Sequence, residues 1–114
     1  MRAAVVVAGR LEIQERPDPV PRDGEIVIRV RAAGINGADV LQRLGRYPPP
    51  PGAPPDIPGL ECAGETKAGE RVMALLPGGG HAELVAVHES HVLPVPDDVD
   101  WPQAGGFVEV FATA

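Results

Sequence analysis

The sequence predicts a mainly β domain with a few short helices (α+β), and three observations lead to that prediction. Fourteen glycines and fourteen prolines, about a quarter of the 114 residues, separate short apolar runs, as expected of many short elements joined by turns. Residues 25–33 alternate with a period of two, which is typical of a half-buried strand and places Ile26, Ile28 and Val30 on one face. Helix signals are confined to short segments. A chain of this length fits one domain, residues 1–114.

Short apolar runs bounded by turn residues predict the other strands. Residues 2–8 and 11–15 flank Gly9-Arg10 and predict a hairpin, which ends at three prolines between residues 17 and 21 because proline lacks a backbone N–H. Later strands are predicted at residues 57–65, 71–76 and 81–88. Residues 66–69 predict a turn between the first two of these strands. The glycine triplet 78–80 lacks the lysine of a phosphate-binding loop and is interpreted as a second turn.

A short helix is predicted to begin at Asn36, whose side-chain oxygen can accept a hydrogen bond from the backbone N–H three residues on. Asp39 lies in the first turn, where the helix dipole favours an anion. Leu41 and Leu44 give this helix one apolar side, and Gly45 ends it. The run of four prolines at residues 48–51 predicts an extended, restrained loop.

A second helix start is predicted near the end of the chain. Asp100 serves as cap, Pro102 lies in the first turn and Gln103 is at the third position. Phe107 and Phe111 follow and are interpreted as helix-packing residues. Few residues remain to cover this apolar end, so the sequence predicts that a further segment packs there.

Composition excludes several classes of function. A net charge of −6 and a pI near 4.9 would repel a phosphate backbone, so nucleic acid is not an expected partner. The apolar run at residues 3–9 is far shorter than the ~20 apolar residues of a membrane span, and no secretory signal is apparent, so a cytoplasmic location is expected. Cys62, as a single cysteine, predicts a small buried apolar residue and neither a disulfide nor a structural zinc site.

Four segments together carry a family resemblance: GINGADVLQRLGRYPPPPG, IPGLECAGE, GERVMALLPGGGHAELV and the terminal FATA. In them the chain resembles the N-terminal, GroES-like catalytic domain of the medium-chain dehydrogenase/reductase superfamily, over essentially its whole length. The first segment is similar to the zinc-free NAD(P)H:quinone oxidoreductase branch, whereas the second and third are typical of the superfamily. The resemblance implies an irregular, partly open β-barrel, hinged to a Rossmann domain that holds a nicotinamide cofactor in the cleft between them.

The same comparison implies that no zinc is bound. Zinc-dependent members have a cysteine where this sequence has Asn36 and a histidine where it has Leu60, and neither replacement can anchor a catalytic zinc. His81, His88 and His91 lack the HExxH spacing and any cysteine partner, so they are not expected to bind metal.

The resemblance implies hydride transfer from NADPH to a quinone or related conjugated carbonyl, with donors polarising the acceptor oxygen. Candidate catalytic residues are Asn36, Tyr47 and Arg43, with Gln42 as a further possible donor. Candidate cofactor-binding residues are Tyr47, Thr113 and Asp39.

Each candidate has an alternative role. Asn36 could act only as a helix cap, and Asp39 as a dipole partner or as the ion-pair mate of Arg43. Arg43 could instead be solvent-exposed. Glu61 could lie near the cleft or be an exposed strand carboxylate.

Two departures from the family pattern bear on function. Residues 65–70 are fewer than the family has at this point, which predicts a deleted surface hairpin. No GxGxxG fingerprint occurs, so the Rossmann cofactor domain is absent from this chain, the domain is expected to be truncated, and it is expected to be inactive alone. The alternative is a non-catalytic GroES-like binding or scaffold module, and a homo-oligomer is compatible with either.

Overall fold

The computed structural model of the chain describes residues 1–113, with Thr113 described by its backbone alone. Strands dominate, and they are joined by short helices. The strands are β1 (Arg2–Val7), β2 (Arg10–Glu15), β3 (Glu25–Ala33), β4 (Glu61–Glu65), β5 (Arg71–Leu75), β6 (Leu84–His88) and β7 (Val92–Pro94). The helices are α1 (Gly37–Arg43), α2 (Trp101–Gly105) and α3 (Val108–Thr113), with one 3-10 turn at Glu89–His91.

Five of the strands form one antiparallel sheet in the order β6-β3-β4-β5-β7. The sheet curls into a half-barrel, as the family resemblance implies. A β-bulge between Val30 and Ala32 shifts the pairing of β3 with β4, and bulges of this kind bend a strand. The predicted mainly β fold with a partly open barrel is confirmed.

The apolar core lies on both faces of the curled sheet. One cluster, which includes Ile28, Cys62 and Val87, lines one face. A second cluster, which includes Met73 and Ala104, joins the other face to helices α2 and α3. The period-two prediction for β3 is confirmed at Ile28, which is fully buried.

β1 and β2 form a separate antiparallel hairpin, as predicted. Its turn lies at Ala8-Gly9, one residue earlier than predicted, because both residues adopt positive φ values of 50° and 78°. Two consecutive positive φ values are the signature of the type I′ turn, which suits the twist of paired strands.

Two predicted strands are too long at their beginnings, and one strand was not predicted. Residues 57–60 precede β4 as a loop, in which Gly59 has a φ of 118° and its carbonyl accepts from the Gly80 N–H at 3.1 Å. Residues 81–83 likewise precede β6, apart from one isolated bridge between Ala82 and Ala3. β7 escaped prediction because it is short and ends at Pro94, on an edge where proline is tolerated.

Both predicted turns are present. The Gly69 N–H donates to the Thr66 carbonyl at 2.9 Å and joins β4 to β5. The glycine triplet 78–80 is closely packed, since a Cβ at Gly80 would lie 2.9 Å from Leu76 Cδ1 and one at Gly79 would lie 3.1 Å from Pro54 Cγ. The triplet therefore serves close packing of loops.

The predicted start of the second helix is confirmed in detail. Asp100 caps α2, with Oδ1 accepting from the Gln103 N–H at 2.9 Å, and Gln103 returns a hydrogen bond to the Asp100 N–H. Phe107 and Phe111 stack on each other with ring centroids 4.3 Å apart, yet they remain 42% and 65% exposed. The two rings pack against each other and not against the core. Among the described residues, no helix is long and apolar enough to cross a membrane.

Cys62 is fully buried, as predicted, and its burial should make stability depend on alkaline pH. Desolvation, with a smaller contribution from the Glu61 charge, raises the pKa of the thiol from 9.0 to about 12. Only the unfolded chain ionises this thiol between those values, so its contribution to stability is complete below pH 9.0 and is lost as the pH rises toward 12. We expect a loss of up to about 1.4 kcal/mol per pH unit in this window.

The measurement is urea unfolding of the wild type and of Cys62→Ala at pH 8 and pH 10. The Met1 amino group, whose pKa is raised by its hydrogen bond to Asp18, also titrates in alkaline solution, but both proteins share it. The wild type should lose more stability than the variant over this interval. Equal losses would show that the thiol does not titrate differently in the two states.

Candidate functional site

Two of the predicted site residues, Asn36 and Asp39, lie together where β3 leads into α1. Asn36 occupies the N-cap position of α1, and its backbone N–H donates to Asp39 Oδ2 at 2.8 Å. The Asp39 N–H donates to the Asn36 backbone carbonyl at 3.0 Å, and Asn36 and Asp39 together form the capping box of the helix, so Asn36 caps α1 as predicted. Capping uses the side-chain oxygen and leaves the amide NH₂ group free, and Nδ2 donates to Glu61 Oε2 at 2.9 Å.

Glu61, the first residue of β4, is the acceptor for that amide and is only 1% exposed. Its other oxygen, Oε1, accepts from the backbone N–H of Glu109 in the first turn of α3 at 3.1 Å. The alternative of an exposed strand carboxylate is therefore wrong. The side chain joins three elements, since it connects β4 to the beginning of α1 and to the beginning of α3.

Asp39 is also buried, at 5% exposure, and it fixes the loop that precedes β4. Its Oδ1 accepts from the Gly59 N–H at 3.0 Å, and its Oδ2 lies 4.0 Å from His81 Nε2. The expected ion pair with Arg43 is absent between these two described residues. Both carboxylate oxygens already accept backbone N–H groups, so the structure gives Asp39 a supporting position beneath Asn36.

His81 contributes a further contact to the same segment. Its Nε2 lies 2.9 Å from the Gly34 carbonyl oxygen, which can only accept, so the ring donates through Nε2–H. Gly34 itself leaves room for the carboxylate of Glu61. A Cβ at position 34 would lie 2.3 Å from Glu61 Oε2.

Helix α1 turns a polar side toward the interior of the domain. It buries Asp39 and Gln42, whereas Leu41 and Leu44 are 42% and 50% exposed. The apolar side predicted from Leu41 and Leu44 is therefore largely exposed, and hydrogen bonds hold the polar side in the interior. Gly45, with a φ of 73°, ends the helix as predicted.

The other predicted donors, Arg43 and Gln42, contact residues outside this cluster. Arg43 is half-buried rather than solvent-exposed, and its Nη1 donates to the Gly9 carbonyl at 2.9 Å. Gln42 makes a long contact of 3.4 Å from Nε2 to the Pro55 carbonyl. Arg43 thus braces the β1–β2 turn, and its role as a donor to substrate stays a prediction.

Tyr47 follows α1 and is half-buried, with no hydrogen bond from its hydroxyl within the described part of the chain. A half-buried ring with an available hydroxyl suits ligand contact. The side chain of Thr113 lies outside the described residues. The cluster that the structure does bring together therefore consists of Asn36, Asp39, Glu61 and His81.

Metal ligation finds no support in the described residues. No group of three or more His, Cys, Asp or Glu side chains there could hold a metal ion. Leu60, in the loop before β4, is buried at 7% exposure and has no atom that can ligate.

A groove of about 520 Å³ lies apart from the cluster. Apolar side chains, including Val20, Ile57 and Leu76, form much of its lining, with His88 and His91 among its polar residues. None of Asn36, Asp39, Arg43 and Tyr47, the predicted site residues whose side chains the structure describes, lines it. Its size falls in the range of small-molecule pockets, but the hydrogen-bonded amide and carboxylate of the cluster are elsewhere.

Comparison with protein-family models identifies the family of this domain. The model for the alcohol dehydrogenase GroES-like domain matches residues 22–97. The chain belongs to that family. This GroES-like domain therefore has the fold and the superfamily that its motifs indicate.

Relatives of the GroES-like domain include vesicle proteins and quinone oxidoreductases. The mouse synaptic vesicle membrane protein VAT-1 homolog-like is 36% identical over 126 residues, covering 97% of this chain and 30% of the mouse protein. The human VAT-1 homolog-like structure superposes with a TM-score of 0.89 at 35% identity, covering 99% of this chain and 41% of that one. The Thermus thermophilus quinone oxidoreductase, solved also with NADPH, gives a TM-score of 0.86 at 43% identity, covering 99% of this chain and 38% of that one.

Two facts about length follow from these alignments. The GroES-like domain spans about a third of the length of the relatives that it matches. The mouse alignment extends over 126 positions although this chain has 114 residues, so the relative has residues within the aligned region that this chain lacks. A shortened connection at residues 65–70 is consistent with that difference.

Proposed function

We propose that this GroES-like domain forms the substrate side of an NADPH-dependent oxidoreductase that reduces quinones or related conjugated carbonyls without zinc. The observation that carries the proposal is the Asn36 amide, which is held by a buried carboxylate at the beginning of α1. One N–H of this amide is used by Glu61 and a second remains to donate to an acceptor oxygen. Similarity to the Thermus thermophilus enzyme, whose structure includes an NADPH complex, supports the choice of reaction.

The chemistry divides between the cofactor and the domain. NADPH supplies the hydride when bound. The domain contributes a prearranged donor, which stabilises the negative charge that develops on the acceptor oxygen more than it stabilises the bound substrate. Tyr47 offers a second donor beside the proline-restrained loop.

The described residues offer contacts for only part of an NADPH molecule. The glycine triplet 78–80 is filled by Leu76 and Pro54 and leaves no cradle for phosphates. Tyr47 has a hydroxyl available for a cofactor contact, whereas the carboxylate oxygens of Asp39 are already occupied. A nucleotide-binding domain has to hold the cofactor for the proposed reaction.

A chimera tests the proposal. The part of the Thermus thermophilus quinone oxidoreductase that aligns with this chain is replaced by the chain, and NADPH oxidation is followed with a quinone. We expect turnover by the chimera and by the parent enzyme, and none by the isolated 114-residue chain, because the cofactor is not held against the site there. A folded chimera that oxidises NADPH no faster than the nucleotide-binding part alone would refute the proposal.

A non-catalytic binding module is the second candidate, and the exposed apolar residues favour it. Phe107, Val110 and Phe111 on or beside α3 are all more than 40% exposed. An inactive chimera, together with a stable homo-oligomer of the isolated chain in light scattering, would support this candidate.

Removal of the Tyr47 hydroxyl should lower activity with little effect on stability. In the chimera, Tyr47→Phe keeps the ring and deletes one donor, so we expect kcat/KM to fall about tenfold. The hydroxyl makes no hydrogen bond within the described chain, so the midpoint of urea unfolding should stay unchanged. Unchanged kcat/KM would remove Tyr47 from the candidate donors.

A further inference from the structure

Glu61 is a buried carboxylate whose only hydrogen-bond partners among the described residues are uncharged donors. It accepts from Asn36 Nδ2 at 2.9 Å and from the Glu109 backbone N–H at 3.1 Å, and it forms no ion pair there. Burial of a carboxylate is costly unless its oxygens are hydrogen-bonded, and an isosteric amide would cost less. A fold that needed only to fill this space would be better served by an apolar or amide side chain.

The carboxylate determines which way the Asn36 amide faces. A carboxylate accepts and does not donate, so Asn36 must turn its NH₂ group toward Glu61 and its oxygen away. A glutamine at position 61 would offer an NH₂ group as well as an oxygen. Its oxygen could keep the Glu109 N–H, and its NH₂ would then face the amide of Asn36, which would relax by rotating through about 180°.

The surrounding residues fix the carboxylate itself. Each of its two oxygens has one donor, so the plane of the group is set by contacts from two different helices. Gly34 allows the approach, because a Cβ there would lie 2.3 Å from Oε2 and 2.6 Å from the carboxyl carbon. Gly34 thus leaves space for the Glu61 carboxylate, and the carboxylate in turn binds the Asn36 amide.

We propose that Glu61 is a positioning residue that holds the Asn36 amide with its second N–H directed to the acceptor oxygen of the substrate. This inference rests on the proposed function. It assigns to Glu61 an effect on the reaction that passes through Asn36 and disappears when the Asn36 amide is removed.

A double-mutant cycle in the chimera tests the assignment. The proteins are the parent chimera, Glu61→Gln, Asn36→Ala and the double variant, and kcat and KM are measured for each with one quinone. We expect Glu61→Gln to lower kcat by roughly ten- to thirtyfold when Asn36 is present, with KM changed less than about threefold. In the Asn36→Ala background the same substitution should change kcat by less than about twofold.

Two further variants control the interpretation. Glu65→Gln alters the other glutamate of β4, which pairs with Arg31 at 2.6 Å, and should leave kcat unchanged. Gly34→Ala displaces the carboxylate without changing its charge and should lower kcat in the same Asn36-dependent way. A loss on Glu61→Gln that is equal in both backgrounds would show a merely structural role and overturn the proposal.

The orientation of the amide can be read without turnover. If the chimera does not oxidise NADPH with a quinone, the proposed function fails, and the ¹⁵N side-chain resonance of Asn36 in the chimera decides the positioning claim. Glu61→Gln should shift this resonance, while Glu65→Gln should not. An unshifted resonance would refute the claim that Glu61 orients the amide, whatever the activity.

Discussion

Gly64→Ala is expected to lower the free energy of unfolding by about 4 kcal/mol or more, a large share of the ~6–17 kcal/mol available to a domain of this size. Gly64 lies in β4, beside the bulge that shifts its pairing with β3. A Cβ there would lie 2.0 Å from the Arg29 carbonyl oxygen and 2.8 Å from Ile28 Cγ2. The first contact is with backbone in a paired strand, so the clash is relieved only if the two strands separate.

The measurement is urea unfolding followed by circular dichroism, with Gly37→Ala as the matched control. Gly37 begins α1, and a Cβ there meets nothing within 4 Å. We expect this control to be neutral or stabilised by up to about 1 kcal/mol, because alanine restricts the unfolded chain. A Gly64→Ala protein that unfolds at the wild-type urea concentration would show that β3 and β4 can move apart at little cost.

Elements that depend on local sequence could be predicted, whereas those that depend on distant contacts could not. β3 follows from its alternation, and α2 follows from the reciprocal bonds of Asp100 and Gln103, which lie three residues apart. The start of β4 was misplaced because the conformation of Gly59 is set by its contact with Gly80, distant in sequence. Nothing within residues 57–60 alone indicates that constraint.

The sequence singled out Asn36 as a candidate but did not predict the residues to which it is bonded. Asn36 was identified, but its partner Glu61 lies 25 residues away and was left open between cleft and surface. The apolar and small neighbours of Glu61 in GLECAG could have indicated that this acid is buried. A buried carboxylate needs hydrogen-bond donors, and these have to come from other segments of the chain. The burial of the polar side of α1 was not predicted for the same reason, since Asp39 bonds to the Gly59 N–H, 20 residues away.

Two buried carboxylates hold Asn36 in place. Asn36 needs a fixed orientation to act as a directional donor, and the fold supplies it through Glu61 and Asp39 on either side of the α1 N-cap. Asp39 holds the backbone of Asn36, and Glu61 holds its side chain. Separate supports for backbone and amide allow the side chain to be tested without disturbing the helix.

Asn36→Asp should destabilise the chain by about 3 kcal/mol or more at pH 7, although aspartate is as good an N-cap as asparagine. The substitution replaces the NH₂ group that lies 2.9 Å from Glu61 Oε2 with a second carboxylate oxygen. Two buried carboxylates at this distance cannot both remain charged, so the folded state has to take up a proton. Because the folded state then binds more protons than the unfolded state, stability is recovered as the pH falls toward about 4 and lost as it rises to 7.

Two matched variants separate this repulsion from the loss of a hydrogen bond. Asn36→Ala removes the donor without adding charge, so its loss should be smaller, about 1–2 kcal/mol, and should change little between pH 5 and 7. The double variant Asn36→Asp with Glu61→Gln restores complementarity, since the glutamine NH₂ can donate to the new carboxylate at position 36 while its oxygen keeps the Glu109 N–H. Urea unfolding at pH 5 and pH 7 should therefore show the double variant more stable at pH 7 than Asn36→Asp alone. If the second substitution adds to the damage instead, the two side chains do not meet in the folded protein.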